Sequence, residues 1–78
     1  MSTEDEIKEA VREHVKIALV KERLSITELI RRLNEKYGRT DTTQNLSNKL
    51  SRGTLKYSEA LEIAEAIGYE IVWKKKAP

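Results

Sequence analysis

The sequence holds no cysteine, one proline and three glycines in 78 residues, and its apolar runs are short. Without cysteine there is no disulfide framework and no thiolate metal site to stabilise a small fold. This fits a reducing cytoplasm, which is the expected location. Charges recur every few residues, so no segment is expected to span a bilayer or to act as a signal peptide. At this length one domain over residues 1–78 is expected. So small a domain buries only about 60% of the surface its unfolded chain exposes, which disfavours a deep catalytic cavity.

Catalytic groupings are also missing. His14 is the only histidine, and it stands beside an apolar stripe with no cysteine to complete a ligand set. Glu9 and Glu13 lie one helical turn apart but among Lys8, Arg12 and Lys16, as on a salt-bridged outer face. No serine has a base or oxyanion signature near it, and no glycine-rich loop could cradle phosphate. No enzyme activity, metal, cofactor or small-molecule ligand is expected.

What is present is helical periodicity. Gly38, Gly53 and Gly68 each close an apolar periodic stretch, as a glycine just past a helix does. A first helix is expected over about Thr3 to Arg23, opened by a Thr3/Glu6 capping box, with Ile7, Val11, Val15, Ala18 and Leu19 inward. A second starts at Ser25, with Glu28 at the box position and Leu24 and Leu29 at the staple positions. It buries Ile26, Leu29, Ile30 and Leu33. A third starts near Asp41 and ends at Gly53, with Leu46, Leu50 and Thr43 inward. A fourth runs from about Ser58 to Ile67, burying Ala60, Leu61, Ala64 and Ile67. Tyr69 to Trp73 then alternates in β-formers and reads as a short strand. Lys74 to Pro78 forms a basic tail. The expected class is mostly α, a four-helix helix-turn-helix domain with a short C-terminal β-strand.

Charge is uneven along the chain. Net charge is +2, but residues 38–56 hold Arg39, Lys49, Arg52 and Lys56 against Asp41 alone, while the other twelve acids lie outside. Acid depletion beside basic groups suits a phosphate-facing surface. Within it lies TTQNLSNKLSRG. Taking Leu46 and Leu50 as inward, Gln44, Asn48, Ser51 and Arg52 point outward at 100° per residue, with Asn45 and Ser47 on the flanks. Asn, Ser and Thr are poor helix formers, so something other than helix stability selects them. Amides can pair with the adenine edge in the major groove. The short turn around Gly38, Arg39 and Thr40 makes this a helix-turn-helix with residues 42–52 as recognition helix. Thr27, at the start of the second helix, and Arg39 would then lie near the DNA backbone, and Lys49, Arg52 and Lys56 would act on phosphates.

The span Ser25 to Gly68, 44 of the 78 residues, resembles the phage-repressor (lambda repressor and Cro-like, xenobiotic-response-element) helix-turn-helix family through its segments ITELIRRLNEKYG and QNLSNKLSRGTLKYSEALEIAEAIG. The resemblance implies a compact lambda-repressor-like domain, usually dimeric, that regulates transcription. It places the base readers at Thr43, Gln44, Asn45 and Asn48, with Thr42 and Ser47 joining the backbone contacts. Thr27 departs from the family, which often has Gln there, and the turn before the recognition helix is longer. A homodimer is expected through the terminal strand, with Tyr69, Ile71 and Trp73 on one face of a two-stranded ribbon. The rival reading keeps the fold without DNA, as a protein-interaction module of anti-repressor or antitoxin-like kind.

Overall fold

Four helices follow one another in the computed structural model, which describes residues 3–77: α1 Thr3–Lys21, α2 Ile26–Tyr37, α3 Thr43–Arg52 and α4 Tyr57–Ile67. Their ends have visible local causes. Ser25 Oγ accepts the Glu28 amide at 3.1 Å, and Thr42 Oγ1 accepts the Asn45 amide at 3.2 Å, so each supplies a partner for an otherwise orphaned first-turn donor. The reciprocal half of the Ser25 box does not form, because the Glu28 carboxylate holds Arg31 instead. At α4 the Lys56 amide donates to Glu59 Oε1 at 2.9 Å. Thr3 is itself helical, so it does not take the capping position expected of it.

The helices pack α2 against both α3 and α4, and α1 against α3. Val15 and Leu19 of α1, Leu29, Ile30 and Leu33 of α2, Leu46 and Leu50 of α3, and Ile63, Ala64 and Ile67 of α4 are buried. Leu29 has no exposure at all. Two expected core residues lie outside. Ile7 is 60% exposed, because it stands about 80° around α1 from Val15 at 100° per residue. Leu61 is exposed and Ile63 buried in its place. The inward stripe of α4 is residues 60, 63, 64 and 67, the usual spacing of a helix face.

The largest correction concerns the C-terminal segment. Residues 69–77 belong to neither a helix nor a strand, and there is no β-strand among the described residues. The fold is therefore all-helical, and the expected two-stranded ribbon through Tyr69, Ile71 and Trp73 has no strand to rest on. The chain offers no second strand-forming run for this segment to pair with, and three of its polar groups bond to α4 or to the end of α1 instead. The Tyr69 amide closes α4 on the Ala64 carbonyl at 2.8 Å. The Tyr69 hydroxyl donates to Glu22 at 3.1 Å, and Trp73 Nε1 donates to the Tyr57 hydroxyl at 2.9 Å. The Trp73 and Tyr57 rings meet edge to face at 6.2 Å, a favoured aromatic arrangement. Alternating β-formers thus describe a strap laid along helices.

Candidate nucleic-acid interface

The polar face of α3 is built by its apolar one. Leu46 and Leu50 are buried one turn apart and fix how the helix is rotated. Gln44, Asn45, Asn48, Ser51 and Arg52 are then exposed, and Thr43, Ser47 and Lys49 half-buried. No residue of α3 is acidic. The residues expected on this helix are thus gathered on one element, with Lys56 exposed just beyond it. Thr27 stands exposed in the first turn of α2.

The turn that carries α3 is pinned by a residue the periodicity did not single out. Asn34 Nδ2 donates to the Asp41 carbonyl at 2.9 Å, and the Asp41 amide donates back to Asn34 Oδ1 at 3.0 Å. Asn34 sits one turn inside α2, so the pair ties the end of one helix to the start of the next. The Asp41 carboxylate accepts the Thr42 amide at 2.9 Å and Asn45 Nδ2 at 3.0 Å. These bonds, Asn45 first, hold its carboxyl below the usual range.

Two expected base readers are bonded to each other. Gln44 Nε2 donates to Asn48 Oδ1 at 3.0 Å. The bond leaves the Gln44 carbonyl oxygen and the Asn48 amide NH2 available to another partner. Those are an acceptor and a donor on adjacent turns.

The cations divide into two groups. Arg39 places two nitrogens on the two oxygens of Glu62, at 2.7 and 2.6 Å, and its guanidinium lies 4.9 Å from the Tyr37 ring centre. Lys49 is hydrogen-bonded to Glu59. Arg52 and Lys56 take part in no ion pair among the described residues. The pairing with Glu62 raises the Arg39 pKa and lowers that of Glu62. Lys49 is raised by Glu59. At Glu59, burial pushes the carboxyl up, but Lys49 and the Lys56 amide outweigh it and the net shift is downward. Sequence spacing could show that Glu59 and Glu62 share a face of α4. It could not show which cations they meet.

These depressed carboxyls carry a pH dependence. A carboxyl that titrates lower when folded stabilises the fold at any pH above its unfolded value, and that contribution disappears as pH falls through the folded value. Unfolding by urea is expected to be insensitive to pH near neutrality and to become easier below the usual carboxylate range. In Glu62→Gln the acid-side loss should be smaller. An equal loss in parent and variant would remove Arg39–Glu62 from the account.

A groove of about 460 Å³ lies away from these groups. Val11, Ile17, Ala60, Ile63 and Ile71 line it between α1, α4 and the C-terminal strap, with His14, Lys21 and Glu70 as its polar members. His14 is exposed. Among the described residues, no three His, Cys, Asp or Glu side chains come together as a metal site. No helix is long and apolar enough to cross a membrane.

What the geometry defines is a small four-helix domain with a carboxylate-free polar helix held at its surface. Residues 7–72 match the profile of DUF6471, a domain family of unknown function, and the chain belongs to that family. No curated protein and no solved structure matches it.

Proposed function

We propose that this protein is a sequence-specific double-stranded DNA-binding protein, a small repressor-like regulator of transcription acting in the cytoplasm, with residues 42–52 in the major groove. The observation that carries the reading is the outward face of α3. A helix docked by Leu46 and Leu50 exposes Gln44, Asn45, Asn48, Ser51 and Arg52 with no acid among them. Solvent alone would favour Glu, Lys and Ala there. The likeness to phage repressors supports the same assignment and the helix-turn-helix description of α2 and α3. In this reading the Gln44 carbonyl and Asn48 amine meet an adenine edge, which offers one donor and one acceptor. Thr43 and Asn45 flank them, and Thr27, Thr42, Ser47, Arg52 and Lys56 meet the backbone.

The test is selection of bound sequences from random duplex DNA. Gln44→Ala or Asn48→Ala is expected to weaken the selected site by about 1–3 kcal/mol and to relax preference at one base pair. If both variants bind that site as the parent does, the base-reading assignment is wrong.

The apolar groove between α1 and α4 favours a second reading, a protein-interaction module of the anti-repressor or antitoxin-like kind. A random-duplex selection that enriches no sequence would favour it. A second copy of the chain, which palindromic half-sites would require, has side chains such as Ile71, Val72 and Trp73 to meet on and no strand ladder.

A further inference from the structure

We infer that Glu59 and Glu62 are built-in competitors for phosphate, which hold down the sequence-independent attraction of this surface for DNA. The inference rests on the DNA-binding reading of α3. Sequence-independent affinity comes from cations that neutralise phosphates and release counterions, each contact adding roughly 0.9 to the slope of log affinity against log salt. Of the four cations between residues 38 and 56, α4 has already neutralised two, Arg39 and Lys49. Arg39 spends its planar fork on both oxygens of Glu62, at 2.7 and 2.6 Å. That two-point geometry is the one a guanidinium offers a phosphate. A phosphate would therefore have to displace an equivalent partner and leave a carboxylate without its cation.

Lys49 is held more firmly still. Its partner Glu59 accepts the Lys56 amide at 2.9 Å with the other oxygen, so the carboxylate cannot swing aside without undoing the first turn of α4. The side chains of Glu59 and Glu62 are 24% and 26% exposed, which limits how far water could replace a lost cation. Arg52 has no such carboxylate among the described residues, and Lys56 lies near Glu59 without forming an ion pair with it. They supply the phosphate contacts, while Gln44 and Asn48 are untouched by α4. Because phosphate contacts act on every sequence alike, the two glutamates lower affinity for all duplexes and leave base preference unchanged.

The experiment uses the full chain, a mixed-sequence duplex and the duplex obtained by random selection, across a salt series. Glu62→Gln keeps the shape and frees Arg39. It is expected to bind both duplexes roughly three- to tenfold tighter near physiological salt, with a slope steeper by about one and an unchanged ratio between the two. Adding Arg39→Gln should cancel the gain. Arg39→Gln alone, a milder change, should barely alter the slope of the parent, whereas Arg52→Gln should reduce it by about one. The inference is overturned if folded Glu62→Gln binds with the affinity and slope of the parent, or if Arg39→Gln alone removes a full unit of slope. Failure of the parent and every variant to bind any duplex would instead overturn the DNA-binding reading and take this inference with it.

Discussion

Leu29→Ala is expected to destabilise the domain by about 2–5 kcal/mol, the range for emptying a buried leucine site. Leu29 is the one large side chain with no exposure, and it sits on α2, the helix that packs against both α3 and α4. Its removal leaves a void in the buried cluster shared by the four helices. Only ten apolar residues are buried among those described, so the lost contacts are a large part of the core. A domain with a total stability of about 5–15 kcal/mol could lose a third or more of it. Urea titration followed by helix content measures the change. A cost below about 1 kcal/mol would mean that α2 is not the hub of the packing.

Gly53→Ala should also be costly, for a reason that a matched glycine isolates. Gly38 and Gly53 have nearly the same left-handed backbone, φ 63° and 65°. A Cβ at Gly38 would meet nothing within 4 Å. Alanine there suffers only the left-handed conformation, about 1–2 kcal/mol. A Cβ at Gly53 would lie 2.5 Å from Lys8 Cβ and 3.0 Å from Lys8 Cα. The second of these atoms is backbone, so α1 itself must shift. Overpacking of this kind adds about 1–3 kcal/mol, for a total of about 2–5 kcal/mol at Gly53. Equal costs at the two positions would show that α1 yields freely and that its approach to α3 is loose.

That close approach illustrates what the sequence can and cannot carry. Some helix ends were legible because their causes are local, Ser25 as a cap and glycines just past the last turn, whereas the start expected near Asp41 falls at Thr42, whose hydroxyl takes the cap. The rotation of α2 and α3 was legible too, since Leu29, Ile30, Leu33, Leu46 and Leu50 leave little choice of inward face. The rotation of α4 was legible in part: Ala60, Ala64 and Ile67 turn inward as expected, but Leu61 gives way to Ile63, a choice that only packing decides. Tyr69 to Trp73 misled for a related reason. Alternation of β-formers is a local pattern, and a ladder also needs a partner strand, which the described residues do not provide. The polar residues of α3 were found from type and position alone. Their partners were not, since Arg39 meets Glu62 and Asn34 meets Asp41 across turns that no repeat distance encodes.

Trp73 is the only tryptophan in the chain, and it belongs to the strap. Its indole is 83% exposed and rests edge-on against Tyr57. Intrinsic fluorescence excited at the indole therefore reports whether the strap is seated on α4 and is blind to the interior around Leu29. A fluorescence melting curve follows the peeling of a terminal segment, a local opening with its own small free energy. Agreement between that curve and the loss of helical circular dichroism would mean that the strap and the four helices come apart as a single cooperative unit.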